Sequence, residues 1–172
     1  NYKLVASTFV GTKDADLAMF LDLDKENNPY IFGLTAGVYP ITELVYANAK
    51  SGQFIHSFSN DLSKTRFSSI FGTGRQTGRI DLTPTAFLVN DCGNIYISGW
   101  GGIINTKNGF NQNSTTKNLP ITENAYQKTT TGSNYYFAIF EKGMKSLIYA
   151  TYFGSAAPPN PDNERGDHLD GG

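Results

Sequence analysis

The sequence is poor in charge. Only 17% of its 172 residues are charged and the net charge is −1, whereas soluble domains carry about 25% charged residues. No block of lysine and arginine occurs, so the basic surface that would neutralise a row of phosphates is missing. We therefore expect no nucleic-acid partner.

Cysteine and long apolar stretches are also scarce. Cys92 is the single cysteine, which excludes an intrachain disulfide. No apolar run approaches the roughly 20 residues of a membrane-spanning helix, so we expect no membrane span. The first residues lack the charged start and apolar middle of a signal peptide, and the chain does not begin with methionine. We expect an internal or processed piece of a longer polypeptide.

Motifs of catalysis are missing as well. The chain has two histidines and contains no His-Glu-x-x-His, Cys-x-x-Cys, Gly-x-Ser-x-Gly or Gly-Lys-Ser/Thr pattern. His56 lies in FIHSF, a predicted strand, where a structural role is favoured over a catalytic one. We expect a non-enzymatic protein with no cofactor other than the calcium ion considered below.

Glycine and aromatic residues are abundant. The chain contains 18 glycines, 10 tyrosines and 12 phenylalanines. This mixture is typical of aromatic strands separated by turns, because helices are richer in alanine, leucine, glutamate and lysine. The predicted fold class is all-β.

A short pattern occurs three times along the chain. The segments ASTFVGT, SSIFGT and ATYFGS place small or hydroxyl residues and then large apolar residues before Gly11, Gly72 and Gly154. A longer match joins MFLDLDKENNPYIFGLT to AFLVNDCGNIYISGW, and YPIT recurs as LPIT. Repetition in the same order indicates a duplicated structural unit.

Each unit is predicted to contain four antiparallel strands, because apolar runs alternate with turn segments such as NDCGN and EKGMKS. The predicted strands are residues 18–23, 29–33, 54–59 and 66–71 in the first unit and 85–90, 94–99, 135–140 and 147–153 in the second. Four-stranded sheets with apolar residues on both faces are typical of β-propeller blades, which stack on neighbouring blades.

The repeat predicts about two full blades plus parts of the flanking ones. The predicted units are the last strand of a preceding blade at 1–12, blade unit one at 13–73, blade unit two at 74–155 with a long loop insertion at 101–118, and a loop leading into a further blade at 156–172. Because propellers have about 4–8 blades, we expect these units to pack on other blades of a larger chain or on a neighbouring protein.

The segments DCGNIYISG, LPIT, AYQK, FEKG and YATYFGS follow one another through residues 83–155. In this order they resemble the bacterial repeats of the seven-bladed β-propeller class, and residues 4–73 resemble them more weakly. The first unit departs from the pattern, since DKENNPYIFG replaces the Gly-Asn turn and LVYANA stands where Ala-Tyr-Gln is expected. The resemblance implies propeller blades of four strands.

The tail NERGDHLDGG further resembles segments of very large surface proteins of gliding, Bacteroidetes-type bacteria, which are exported by type IX secretion. This resemblance implies an extracellular location at the outer-membrane surface of a bacterium. It also implies that neighbouring surface proteins are partners.

Trp100 ends a predicted strand and opens the polar loop at 101–118. An indole ring can stack on a sugar ring while amide side chains bond its hydroxyl groups, which predicts a glycan- or protein-binding surface. The predicted surface consists of Trp100, Asn105, Asn108, Phe110 and Asn111. The alternative is that Trp100 packs beneath its own loop.

Oxygen ligands suggest calcium in the tail, because hard cations gather carboxylates and carbonyl groups. The candidate ligands are Asp162, Glu164, Asp167 and Asp170, which lie in a glycine-rich segment. DLDKEN also alternates carboxylates, but it aligns with the NDCGN hairpin and is therefore interpreted as a turn.

The leading hypothesis is a non-enzymatic propeller segment of a large exported surface protein, acting as scaffold or adhesin through loop contacts with protein or glycan. One alternative is a carbohydrate-active enzyme domain, which would need two carboxylates about 5–9.5 Å apart. Its candidates are Asp81, Asp91, Glu123 and Asp167. The other alternative is a calcium-stabilised binding module.

Overall fold

The structure is a computed structural model that describes residues 2–102 and 114–155. These residues form strands and one short 3-10 helix, and contain no helix long and apolar enough to cross a membrane. The elements are β1 (Asp16–Leu23), β2 (Pro29–Thr35), β3 (Gln53–Phe58), β4 (Thr65–Phe71), β5 (Thr83–Val89), β6 (Ile95–Trp100), β7 (Tyr135–Phe140), η1 (Lys142–Met144) and β8 (Leu147–Phe153). The all-β prediction is confirmed.

The strands form two antiparallel sheets of four strands each. Sheet one has the order β1-β2-β3-β4 and sheet two has the order β5-β6-β7-β8, so each strand pairs with its neighbour in sequence. Each of the eight strands predicted within the two units is present, and its ends lie within two residues of the predicted ends. Alternation of apolar runs and turns was therefore sufficient to locate the strands.

The two sheets are built alike down to their irregularities. The first hairpin of sheet one has a bulge between Ala18 and Phe20, and the first hairpin of sheet two has one between Pro84 and Ala86. Because a bulge shifts the register of every residue beyond it, a bulge at the same place keeps the two sheets in the same register. Residues can therefore be matched between the sheets one by one.

The first turn of each sheet uses the same hydrogen bonds. In sheet one Asp24 Oδ1 accepts a bond from Asn28 N–H at 2.9 Å, and in sheet two Asn90 Oδ1 accepts one from Asn94 N–H at 2.9 Å. The DKEN part of the DLDKEN segment is thus a turn, as the alignment with NDCGN predicted, and Asp22 and Leu23 end β1. A short side-chain acceptor that closes a turn is common to aspartate and asparagine.

The outer strand of each sheet is covered by the connector that joins the second and third strands. In sheet one Thr42 N–H donates to the Ser68 carbonyl at 3.0 Å, and Asn48 N–H donates to the Ile70 carbonyl at 3.0 Å. The corresponding bonds in sheet two join Thr122 to Ala150 and Tyr152 to Gln127. An outer strand whose edge is covered in this way cannot pair with another chain.

The two sheets pack face to face through a layer of aromatic side chains, which we call the seam. Phe32 lies 5.7 Å from Phe87, and Phe71 lies 5.2 Å from Phe140, between ring centroids. The inner strands β1 and β5 also meet, since Val89 N–H donates to Asp22 Oδ2 at 2.7 Å. The main apolar core of the protein therefore lies between the sheets.

The chain leaves sheet one through a glycine and an aspartate. Gly72 has a φ of 144°, and a Cβ there would lie 2.7 Å from Asp81 Oδ2, so only glycine fits. Thr73 N–H donates to Asp81 Oδ2 at 2.7 Å, and Arg75 forms an ion pair with the same carboxylate, which has no exposed surface. These contacts fix the conformation of the segment that connects β4 to β5.

Residues 2–12 belong to no strand, although the repeat predicts the last strand of a preceding blade there. The glycine at the end of this segment nevertheless has the same backbone conformation as the glycines that follow β4 and β8, because φ is 144° at Gly11 and 140° at Gly154. Thr12 N–H donates to Asp16 Oδ2 at 2.5 Å, as Thr73 does to Asp81. Tyr2, Leu4, Val5 and Phe9 are exposed.

Replacing Asp81 with alanine is expected to lower the free energy of unfolding by about 3 kcal/mol, because Arg75 and Thr73 N–H lose their shared buried acceptor. Asp91→Ala, which removes an exposed carboxylate from the β5–β6 turn, is the control and is expected to change stability by less than about 0.5 kcal/mol. Urea unfolding followed by circular dichroism compares them. Equal stabilities of the two variants would contradict the role of the buried carboxylate.

Candidate functional site

Of the five residues predicted to form the glycan surface, the structure describes one, Trp100. Trp100 ends β6 and is 8% exposed, so its ring is largely covered. The other four residues, Asn105, Asn108, Phe110 and Asn111, lie outside the described residues. Glycan binding by this loop therefore stays a prediction.

The predicted calcium ligands Asp162, Glu164, Asp167 and Asp170 lie outside the described residues. Within residues 2–102 and 114–155, no three histidine, cysteine or acidic side chains are grouped closely enough to hold a metal ion. The calcium site in the tail stays a prediction.

Two of the candidate catalytic carboxylates of the enzyme alternative, Asp81 and Asp91, lie at opposite ends of β5 and do not form a pair. Asp81 precedes β5 and is buried, whereas Asp91 follows β5 and is exposed. A strand of seven residues separates them by roughly 20 Å, well beyond the separation that glycoside hydrolysis requires. Glu123 is exposed in the connector beside β8, and Asp167 lies outside the described residues.

His56 has a structural environment. Its Nδ1 lies 3.1 Å from the Tyr39 hydroxyl, its Nε2 lies 2.9 Å from Thr65 Oγ1, and its ring stacks on Phe58 at 4.2 Å. Burial disfavours the charged imidazolium and lowers the pKa of His56 to about 4. The ring is therefore neutral near pH 7 and links β3 to β4 and to the connector.

Sheet two has an open face that is largely apolar. Its cross-strand rows are Tyr96–Ile139–Tyr149, Ser98–Phe137–Thr151 and Trp100–Tyr135–Phe153. Leu88, Phe137 and Phe153 are 53%, 39% and 50% exposed, and Leu88 and Phe137 line a groove of about 370 Å³ in the middle of the sheet. Contiguous exposed apolar surface of this kind marks an interaction site.

Sheet one buries the face that sheet two leaves open. Its matching rows are Tyr30–Ser57–Phe67, Phe32–Ile55–Ser69 and Leu34–Gln53–Phe71. Tyr30 matches Tyr96, Phe67 matches Tyr149 and Ile55 matches Phe137, because the bulges and turns place both sheets in one register. In sheet one, Tyr30, Ile55 and Phe67 belong to the core at the seam. The open face of sheet two is thus the counterpart of a face that forms an interface.

The opposite face of sheet one is open along β1. Leu21 and Leu23 are 68% and 49% exposed, whereas their counterparts in sheet two, Phe87 and Val89, pack in or beside the seam. Further across this face Tyr39 stacks on Phe54 at 4.1 Å and covers it. Each sheet therefore has one open face. The open face of sheet two corresponds to the seam face of sheet one, and the open face of sheet one corresponds to the seam face of sheet two.

Comparison with known proteins adds no assignment to this geometry. No known protein family, no curated protein and no solved structure matches the chain. The site residues that sequence reasoning missed are those of the open faces, which a strand pattern alone does not distinguish from a buried core.

The neutral His56 makes stability depend on pH. The unfolded chain takes up a proton near pH 6.5 whereas the folded protein resists protonation until about pH 4, so stability is present above pH 6.5 and is lost as the pH falls toward 4. We expect the wild type to lose about 1–2 kcal/mol between pH 7 and pH 5 from this residue, and His56→Gln to lack that part of the dependence. Urea titrations at several pH values measure it, and parallel pH profiles for the two proteins would refute the assignment.

Proposed function

We propose that the two sheets are adjacent blades of a larger β-propeller that acts as a non-enzymatic scaffold or adhesin. The observation that carries this proposal is the open face of sheet two, which matches row by row the face that sheet one buries in the seam. A contact between unlike faces of similar units is head-to-tail, and head-to-tail contacts continue until a ring closes or a filament forms. A further blade of the same repeat is the occupant that these faces fit.

The geometry at Gly11 supports a further blade on the other side. Its φ of 144° and the bond from Thr12 N–H to Asp16 repeat the exit of β4 at Gly72. Residues 4–11 also repeat the sequence of the outer strands, and their apolar side chains are exposed. We infer that these residues complete a preceding blade as its fourth strand.

Structural use of the ionisable groups supports a non-enzymatic function. Asp24 closes a turn, Asp81 holds the segment that connects β4 to β5, and His56 is buried and neutral. Each of these side chains has its partners within the fold, whereas a general acid or base must reach a substrate. The function then falls to surfaces and loops carried by the blades.

Location at the bacterial surface is proposed from the resemblance of the repeats and of the tail to exported surface proteins. In such a setting the blades would carry loops outward, where contacts with protein or glycan give adhesion. Fold alone leaves the ligand open, because propellers serve many functions.

Protease shaving of intact producing cells tests the surface scaffold. We expect brief trypsin treatment to release peptides that contain residues of this chain, and a cytoplasmic marker protein to stay inside the cells. The mass-spectrometric yield from intact cells should be comparable to that from lysed cells.

Recovery of these peptides only after lysis would contradict export to the surface. Turnover of a polysaccharide or peptide by the purified, folded protein, with loss of turnover on substitution of its acidic residues, would contradict a non-enzymatic function.

A further inference from the structure

A cleft lined by both apolar and charged side chains lies where the first connector of sheet one meets η1 of sheet two. Its volume is about 380 Å³, which is within the range of small-ligand sites. Its lining includes Glu43, Leu44, Arg66, Lys142 and Lys145. Tyr46 N–H donates to the Met144 carbonyl at 2.5 Å beside it, so both sheets hold the cleft in shape.

Three cationic side chains line this cleft. Arg66 is held in place because its Nη1 donates to Asp24 Oδ2 at 2.9 Å and to the Tyr30 hydroxyl at 3.3 Å. All hydrogen bonds from Arg66 within the described residues use Nη1, so Nε and Nη2 remain available as donors. Lys142 and Lys145 are exposed and form no ion pair with a described residue.

The fold does not need the ion pair that holds Arg66. At the matching positions sheet two has Asn90 for Asp24 and Ile148 for Arg66, and it forms the same turn without an ion pair at these positions. Asp24 is almost fully buried beneath the guanidinium. Burial alone would raise the pKa of Asp24, but bonds from Asn28 and the Arg66 charge hold that pKa below its usual value of 3.8. A charge pair that the sister sheet omits points to a use other than folding.

The cleft also offers apolar surface and an acceptor. Leu44 is 94% exposed with a φ of 59°, a conformation that is uncommon for a leucine and that holds its side chain at the mouth of the cleft. Residues held in sparsely populated backbone conformations are often found at ligand sites. Glu43 is exposed on the same rim and makes no hydrogen bond to a described residue, so its carboxylate can accept bonds from hydroxyl groups.

We propose that this cleft binds a uronic acid unit of an acidic polysaccharide. Arg66 and the two lysines bind the carboxylate of the sugar, for which a guanidinium offers two parallel donors. Leu44 packs against the sugar ring, and Glu43 accepts its hydroxyl hydrogens. A ligand with carboxylates alone would be repelled by Glu43, whereas a sugar acid satisfies both the cations and the acceptor. The site uses only described residues of the two sheets, so it stands apart from the surface location and from further blades.

Isothermal titration with trigalacturonate tests the site on the purified protein. We expect binding that weakens at higher salt, because exposed charge pairs are screened. The double variant Asp24→Asn/Arg66→Ile places the residues of sheet two in sheet one and avoids an unpaired buried charge. We expect it to fold as the wild type does and to bind at least about tenfold more weakly, the loss of one charge-assisted contact.

A second pair of variants keeps the test decisive if the double variant fails to fold. Lys142→Ala is expected to weaken binding at least about threefold, and Lys128→Ala, an exposed lysine in the second connector, to leave it unchanged.

Three outcomes would overturn the proposal. They are absence of trigalacturonate binding to the wild type, equal binding of neutral galactotriose, and equal binding of a triglutamate peptide with the same response to the variants. The last outcome would assign the cleft to acidic peptides instead of sugar acids.

Discussion

Aromatic packing at the seam is the interaction on which the rest of the structure depends. Phe32 against Phe87 and Phe71 against Phe140 join two sheets that share no strand. Each sheet is a thin layer and cannot bury both of its faces by itself, so its stability comes from the neighbour. Truncating one such ring removes about 3–5 kcal/mol, a large share of the stability of a small domain.

The same constraint explains how the sheets are finished at their other boundaries. Connectors cover the outer edges, so further growth by strand pairing is blocked there. The faces are left open at both ends, because Leu88 and Phe137 at one end and Leu21 at the other remain exposed. Closed edges and open faces allow association in one direction, by stacking. The cleft at the seam exists for the same reason, since it forms only where two stacked sheets place a connector beside η1.

Strand positions were predictable from sequence because apolar runs and turn residues are local signals. The repeat also made the match of Asp24 with Asn90 readable in advance. Burial was less predictable, because an apolar strand reads the same whether its face packs or stays open. The cleft could not be found, since Arg66 and Lys142 are far apart in sequence and meet only through stacking of the sheets. Residues 2–12 have the sequence pattern of a strand but form none. A strand needs a neighbouring strand to pair with, and residues 2–12 pair with no strand of sheet one.

In the proposed propeller, the open face of sheet two receives another blade. A photo-crosslinking amino acid at Phe137, in the protein produced by its natural host, tests this claim, with Lys128 as the control position. We expect one major cross-linked peptide at Phe137, with an apolar strand that matches β5, the strand of sheet two that sheet one contacts at the seam, and none at Lys128. An uncross-linked Phe137, or cross-links to peptides without the repeat pattern, would contradict it.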